Sequence, residues 1–368
     1  MIQRRSLLKG ALAWPLATAL VACSSARNSL RVKLLSQSVP VQIVSAFQRS
    51  LEAGIPMDFS SETNLSELFG LLQRANAATS PKGFWHRSTP IPDLMTLGDA
   101  WLGDAIRQNL IQPWALENLE EWKTLHDRYR QLVQRDQTGL INPQGQVWGL
   151  PYRWGTTAIA YRRSWFQTWG WEPLDWQDLW RSELQGQIGL PEDPREVIGL
   201  ALKSLGYSYN DLTPDRLPLL KDRLLTLQQQ VKFYSSTHLV QPLLVKDVAL
   251  IVGWSTDLLP LANLDRDIQI ILPQSGTALW ADLWVRPTQA TGDNLAAVQD
   301  WVRFCWSTEI INLFSEFGQG TSPLASPTQE ISDLNPSADF LDRCEFLLPL
   351  PQSSQRIYQD LWQTMRRG

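Results

Sequence analysis

Apolar and polar positions alternate between two periods along this chain, and the alternation sets out most of its elements. Leu30–Leu35 is short and apolar-rich, a first strand, and Val41–Leu51 follows with Ile43, Val44, Phe47 and Leu51 on one helical face. Ile55–Phe59 reads as a second strand, and Leu65–Ala75 as a helix opened by Asn64. Pro92–Leu97 is a third strand with a helix over Ala100–Asn109. Further on, Trp148–Tyr161 predicts two extended segments around Arg153-Trp154-Gly155-Thr156. Trp176–Ser182 predicts a short helix, Gln187–Leu190 a strand and Asp193–Leu205 a helix. Val248–Gly253, Ile268–Leu272 and Leu279–Arg286 read as strands, Leu295–Phe317 as helix in two pieces, and Ser354–Met365 as a closing amphipathic helix. Strands alternating with helices imply parallel βαβ units with helices on both faces. Neither an internal repeat nor a low-complexity tract interrupts them.

The N-terminus follows a different pattern. Met1–Lys9 carries Arg4, Arg5 and Lys9 and no acid, and Gly10–Ala22 is a run of 13 uncharged residues interrupted by Pro15. A membrane-crossing helix needs roughly 20 apolar residues, so this run reads as the core of a signal peptide. Gln3-Arg4-Arg5-Ser6-Leu7-Leu8-Lys9 resembles a twin-arginine export motif, and Leu20-Val21-Ala22-Cys23 resembles the lipobox of bacterial lipoproteins. The resemblance implies cleavage before Cys23 and a diacylglycerol on its thiol. Ser24–Ser29 then serves as a polar tether.

Composition narrows the function. Without residues 1–22 the chain keeps 346 residues, enough for two lobes, and 30 bases against 37 acids, a charge near −7. That balance argues against nucleic acid and mildly favours a cationic ligand, although many surfaces are acidic for solubility alone. Cys305 and Cys344 remain as a disulfide or as two buried thiols. No cysteine–histidine cluster calls for a metal, and no cofactor is expected. His86, His126 and His238 sit in no catalytic constellation, and Gly318-Gln319-Gly320 is a weak glycine signal, which leaves an exported enzyme little to stand on. The 18 tryptophans are the anomaly: most serve a core, but large rings in a pocket can also stack on or cage a ligand.

Five phrases carry a family resemblance. They are Asp93-Leu94-Met95 through Asn109-Leu110-Ile111-Gln112-Pro113; Leu150-Pro151-Tyr152-Arg153-Trp154-Gly155-Thr156-Thr157-Ala158-Ile159; Asp193-Pro194-Arg195-Glu196-Val197 through Leu205-Gly206-Tyr207-Ser208; Val252-Gly253-Trp254; and Leu279-Trp280-Ala281-Asp282. In this order, over about 190 residues, they resemble the spermidine/putrescine-binding branch of the periplasmic solute-binding proteins. The resemblance implies an α/β fold of the two-lobed periplasmic binding protein type (type II), with a hinge and a central cleft. The expected lobes are 30–148 plus 276–326, and 149–275 plus 327–368. It implies a monomer that captures a polyamine outside the cytoplasmic membrane, held there by its lipid, and delivers it to the membrane subunits of an ABC permease.

The candidate site residues follow from the same phrases. Asp193 and Glu196 lie three apart at a helix start, where the helix dipole favours carboxylates; they can equally be the N-cap and its capping-box partner. Trp280 and Asp282 share one face of a strand, an aromatic wall beside a carboxylate. A buried, unpaired Asp282 would be costly, which favours a cation beside it. Trp254 matches another stacking position of the family, with core packing as its structural alternative. The first-lobe aromatics of the family are reduced here: Leu35-Ser36-Gln37-Ser38 replaces an aromatic loop, Gly98 and Ala100 replace a serine and a tyrosine, and Gln319 stands where the family has a tyrosine. Trp101 and Trp85 are candidates to rebuild that wall. The reduction leaves open a different small solute, or a scaffold that has lost binding. The acids at 193 and 196 disfavour an anion.

Overall fold

The structure, a computed structural model, describes residues 29–50, 56–78, 91–316, 320–325 and 336–367. The signal segment, Cys23, Trp85, His86 and Gln319 lie outside the described residues. Thirteen strands occur among those described: β1 Leu30–Leu35, β2 Met57–Glu62, β3 Leu94–Gly98, β4 Ile111–Gln112, β5 Gln134–Arg135, β6 Gln146–Val147, β7 Leu150–Arg162, β8 Ile188–Leu190, β9 Val231–Tyr234, β10 Leu250–Trp254, β11 Ile268–Ile271, β12 Ala278–Pro287 and β13 Glu345–Phe346. The first strand, the helices Val41–Ser50, Leu65–Ala78 and Pro194–Ser204, and the strands near 188, 250, 268 and 278 fall where the residue pattern predicts them. The extended pair expected over 148–161 is one continuous strand, β7, and the short helix at 176 is a 3₁₀ turn over Trp176–Trp180. The helices Arg163–Trp169, Leu220–Gln230 and Ser255–Leu264 were not legible from the pattern.

Connectivity explains the shape. The main sheet runs β2-β1-β3-β12-β7-β10-β8-β9. At one end β1 pairs in parallel with β2 and β3; at the other, β8 pairs in parallel with β10 and β9. Between them β12 runs antiparallel to both β3 and β7, and β7 antiparallel to β10. Two parallel α/β halves are thus joined through a pair of long central strands. All 13 residues of β7 are buried, which is why its sequence lacks the polar alternation of a half-exposed strand.

The central strands feed each core in turn. Tyr152 and Trp154 enter a first apolar cluster with β1, β3 and the helix Leu295–Cys305. Ile159 and Tyr161 enter a second, with the helices Pro194–Ser204 and Gln352–Arg367, and Ala158 and Ala160 a third, under the helix Ser255–Leu264. The short segment Ala338–Phe346 packs back on the first cluster through Phe340, Leu341 and Phe346. The two cysteines, Cys305 and Cys344, are buried free thiols.

Several of the described tryptophans act here as braces. The indole N–H groups of Trp114, Trp148, Trp154, Trp176 and Trp306 donate to the backbone carbonyls of Trp284, Arg135, Ser322, Gly276 and Pro151, at 2.9–3.2 Å. A ring that fills a core and also satisfies a distant carbonyl fixes two segments at once. Tyr152 stacks on Trp284 at 3.9 Å between centroids, 15° from parallel, linking β7 to β12. Trp284→Ala should therefore lower the unfolding free energy by about 3–5 kcal/mol, whereas Trp254→Ala, at an exposed position, should change it by about 1 kcal/mol or less. Urea denaturation of the two variants checks both, and equal losses would place Trp254 in the core instead.

Candidate ligand-binding site

Register places six of the residues that matter on one face of three neighbouring strands. Directly opposed residues of an antiparallel pair share a face, as do residues two apart on one strand. Asp282 and Trp280 on β12 face Arg153 and Gly155 on β7, and Trp254 at the end of β10 faces Thr157. Arg153, Gly155 and Thr157 are spaced by two, so all six side-chain positions point the same way. The opposite face of β7 carries Tyr152 and Trp154 into the core.

Trp280 and Trp254 form the aromatic part, with ring centroids 6.1 Å apart and planes tilted by 43°. Trp280 is half-buried, and its indole N–H donates to the Thr156 carbonyl at 3.3 Å. Its ring lies over Gly155, where an added Cβ would come within 2.3 Å of it; only glycine leaves room. Trp254 is 41% exposed and is one of the few large apolar side chains that water reaches. Core packing does not explain its position.

Glu196 supplies the carboxyl. Asp193 caps the helix Pro194–Ser204, its side chain accepting the backbone N–H groups of Arg195 and Glu196 at 2.8 and 3.2 Å. Glu196 is 6% exposed and turns toward β7, where the Thr157 hydroxyl lies 3.1 and 3.0 Å from its two oxygens. Burial raises Glu196 to about 8, with Asp193 adding to the rise, while hydrogen bonds from Thr157 and Trp254 oppose it. The cap and the inward carboxyl are thus both present, divided between the two residues.

Asp282 is 2% exposed and has a cation beside it that belongs to the chain itself. Arg153, its directly opposed neighbour, donates from Nε at 2.9 Å and from Nη2 at 2.5 Å to Oδ2. Burial pushes the Asp282 carboxyl up, and the guanidinium opposes that push. The guanidinium also sits 5.4 Å from the Trp280 ring centroid. Residue pattern alone does not reveal this pairing, because it depends on the register of strands 129 residues apart. A further acid that the pattern missed is Asp99, at the start of the helix Asp99–Arg107: it accepts the Ala281 N–H at 3.1 Å, and burial raises it to about 7.

Trp101 lies beside Gly98, the residue opposed to Asp282 on β3, where an added Cβ would come within 3.6 Å of its ring. It tilts against Phe69 at 4.6 Å and packs on the first core. Ser38, in the loop after β1 that replaces the family's aromatic set, accepts from the Tyr152 hydroxyl at 2.9 Å, and Thr96 Oγ1 of β3 lies 3.0 Å from the same hydroxyl. Among the described residues no group of histidine, cysteine or acidic side chains could hold a metal ion, and no helix is long and apolar enough to cross a membrane.

The architecture and the matching phrases agree with known proteins. A family model described as bacterial extracellular solute-binding protein matches residues 44–338. The chain belongs to that family. Its members bind and carry solutes rather than catalyse reactions. The spermidine/putrescine-binding periplasmic protein of Escherichia coli (strain K12) is 26% identical over 231 residues, which span 60% of this chain and 64% of the relative. A putrescine/cadaverine-binding protein of Pseudomonas aeruginosa is 24% identical over 237 residues, 60% of this chain and 66% of the relative. Among solved structures, the spermidine/putrescine ABC transporter substrate-binding protein of Streptococcus pneumoniae superposes with a TM-score of 0.75 at 19% identity, covering 92% of this chain and 99% of that one. A periplasmic thiamin-binding protein superposes at 0.59 with 15% identity, over 92% and 95% of the two chains. The fold is thus the two-lobed type II periplasmic binding protein fold.

Glu196 sets a pH dependence whose sign follows from burial. A carboxyl raised above its unfolded value leaves the folded protein holding a proton that the unfolded chain has already lost. Stability therefore falls as pH rises through the window from about 4.5 to about 8. Asp99 acts in the same direction up to about 7. Thermal unfolding of the ligand-free protein should drop across this window, and Glu196→Gln should flatten the slope by up to about 1.4 kcal/mol per pH unit. An unchanged slope in the variant would show that Glu196 is not held neutral.

Proposed function

We propose that the protein captures a small organic amine of the polyamine kind and presents it to the membrane subunits of an ABC importer. The observation that carries this reading is the face shared by β12, β7 and β10, where Glu196 lies beside Trp254, whose ring is 6.1 Å from that of Trp280. An alkylammonium needs a carboxyl for its head and flat apolar surface for its methylenes, and cation–π contact serves where the two meet. An anion would be repelled by Asp193 at the helix start, which in anion sites is kept free of acids. The names of the relatives point the same way.

In this reading the lobes are 30–148 with 276–326 and 149–275 with 327–368, hinged where β7 and β12 cross between them, and closure on the solute is the signal the permease reads. Export follows the twin-arginine-like leader. The acylated Cys23 then holds the monomer at a membrane, with the polar tether carrying the folded body clear of the surface.

Two outcomes are expected. Calorimetric titration with putrescine and spermidine should show binding, and both Glu196→Gln and Trp254→Ala should weaken it by about tenfold or more; a protein that ignores every amine while binding a sugar or an anion would overturn the assignment. In cell fractionation, Cys23→Ser should move the protein from the membrane to the soluble fraction, and continued membrane association would remove the lipid anchor from the account.

A further inference from the structure

Charge around the aromatic face is unevenly distributed. Two acidic poles could in principle receive ammonium groups from opposite ends of a polyamine, one at Glu196 and Asp193 and the other at Asp282. Only the first is open to a ligand. Asp282 is bound through Oδ2 by Nε and Nη2 of Arg153, with both side chains out of water at 2% and 5% exposure. Charged or protonated, the pair leaves no net negative charge at that end of the face.

Arg153 is also held in place. Gly320 takes a φ of +118°, and a Cβ there would come within 2.7 Å of Arg153 Cγ, so the chain has made room for the arginine stem. The Trp280 ring lies against the guanidinium. A seat closed on two sides and bonded at its head is not a side chain that swings away for a ligand. Two charged neighbours are engaged as well. Burial raises the Asp257 carboxyl, in the first turn of the helix Ser255–Leu264, and Arg153 opposes the rise, so this acid too answers to the same guanidinium. Arg195, next to Asp193 in sequence, is engaged elsewhere: it donates to the Leu348 carbonyl at 2.9 Å and to Asn210 Oδ1 at 3.0 Å, over the Tyr358 ring.

We propose that Arg153 is a specificity determinant, a built-in cation that takes the Asp282 pole, so that the site reads one cationic head rather than two. This rests on the amine-binding reading above and sharpens it. The solute's single ammonium or amidinium head goes to Glu196 and Asp193, and the rest of the molecule lies uncharged along Trp254 and Trp280. A second charge on the solute then gains nothing from this face. Arginine and lysine are not equivalent for the purpose, because the planar guanidinium can both grip one carboxylate oxygen with two N–H groups and lie against an indole.

The test uses the mature protein and two probes of equal chain length, butylamine with one charge at pH 7 and putrescine with two. Calorimetry on the wild-type protein should find the two amines within about threefold of each other, since rim charges in water add little. Arg153→Met opens Asp282 to the ligand and should shift the ratio toward putrescine by about tenfold or more, the size expected when a desolvated charge pair is formed. The double variant Arg153→Met with Asp282→Asn replaces the pair by two neutral groups of similar volume. It should keep butylamine affinity within about threefold of wild type and should show no gain for putrescine. A wild-type preference for putrescine of tenfold or more, or a double variant that loses butylamine, would make Asp282 a direct ligand and overturn the proposal. This holds even if the single variant fails to fold. If neither amine binds the wild-type protein while it binds another solute, the amine reading itself falls and the proposal with it, a result distinct from amine binding with the wrong charge preference.

Discussion

A carboxylate taken out of water has to be compensated, and the site is organised around three that have been. Asp282 is compensated by Arg153 from the opposed strand, Asp99 by the Ala281 N–H and by its raised affinity for a proton, and Glu196 by a proton with Thr157 beside it. Asp282 and Glu196 are bonded to residues of β7, the fully buried strand that joins the two halves of the sheet, and Asp99 to its neighbour β12. If β7 were a half-exposed strand, each acid could be hydrated and none would have reason to select a cation. Burial of the central strand is therefore what gives the face its chemistry.

The three compensations differ in what a ligand can do to them. An ion pair between fixed side chains is hard to displace, because the incoming group must replace two N–H donors in one place. A proton on Glu196 is easily displaced, since an arriving ammonium stabilises the charged form and the proton leaves to water. The aromatic rings flank the approach: Trp254 is wet, and Trp280 is held by Gly155 and the Thr156 carbonyl. Selectivity in such a site comes as much from what is already occupied as from what is open.

Much of this was legible in the residues. The period of the apolar positions placed β1, the helix Pro194–Ser204 and the strands near 188, 250 and 278, because each buries one regular face. Asp193 as a cap and Trp280 beside Asp282 followed from spacing alone. Long-range facts were not available to such a reading. The Arg153–Asp282 pair depends on which residues β7 and β12 set opposite each other, so Arg153 was visible in its phrase but its partner was not. Trp101 lies beside Gly98 and also tilts against Phe69, a contact that spacing alone does not reveal. Helices such as Leu220–Gln230 escaped because the pattern around them is mostly polar.

The proton on Glu196 is the most exposed consequence of the whole arrangement. Calorimetry of putrescine binding at pH 7, run in two buffers of different ionisation enthalpy, counts the protons exchanged on capture. A carboxyl held near pH 8 by burial and then met by a cation predicts the release of about one proton per amine bound. Binding with no proton released, or with protons taken up, would mean that the cation does not go to Glu196.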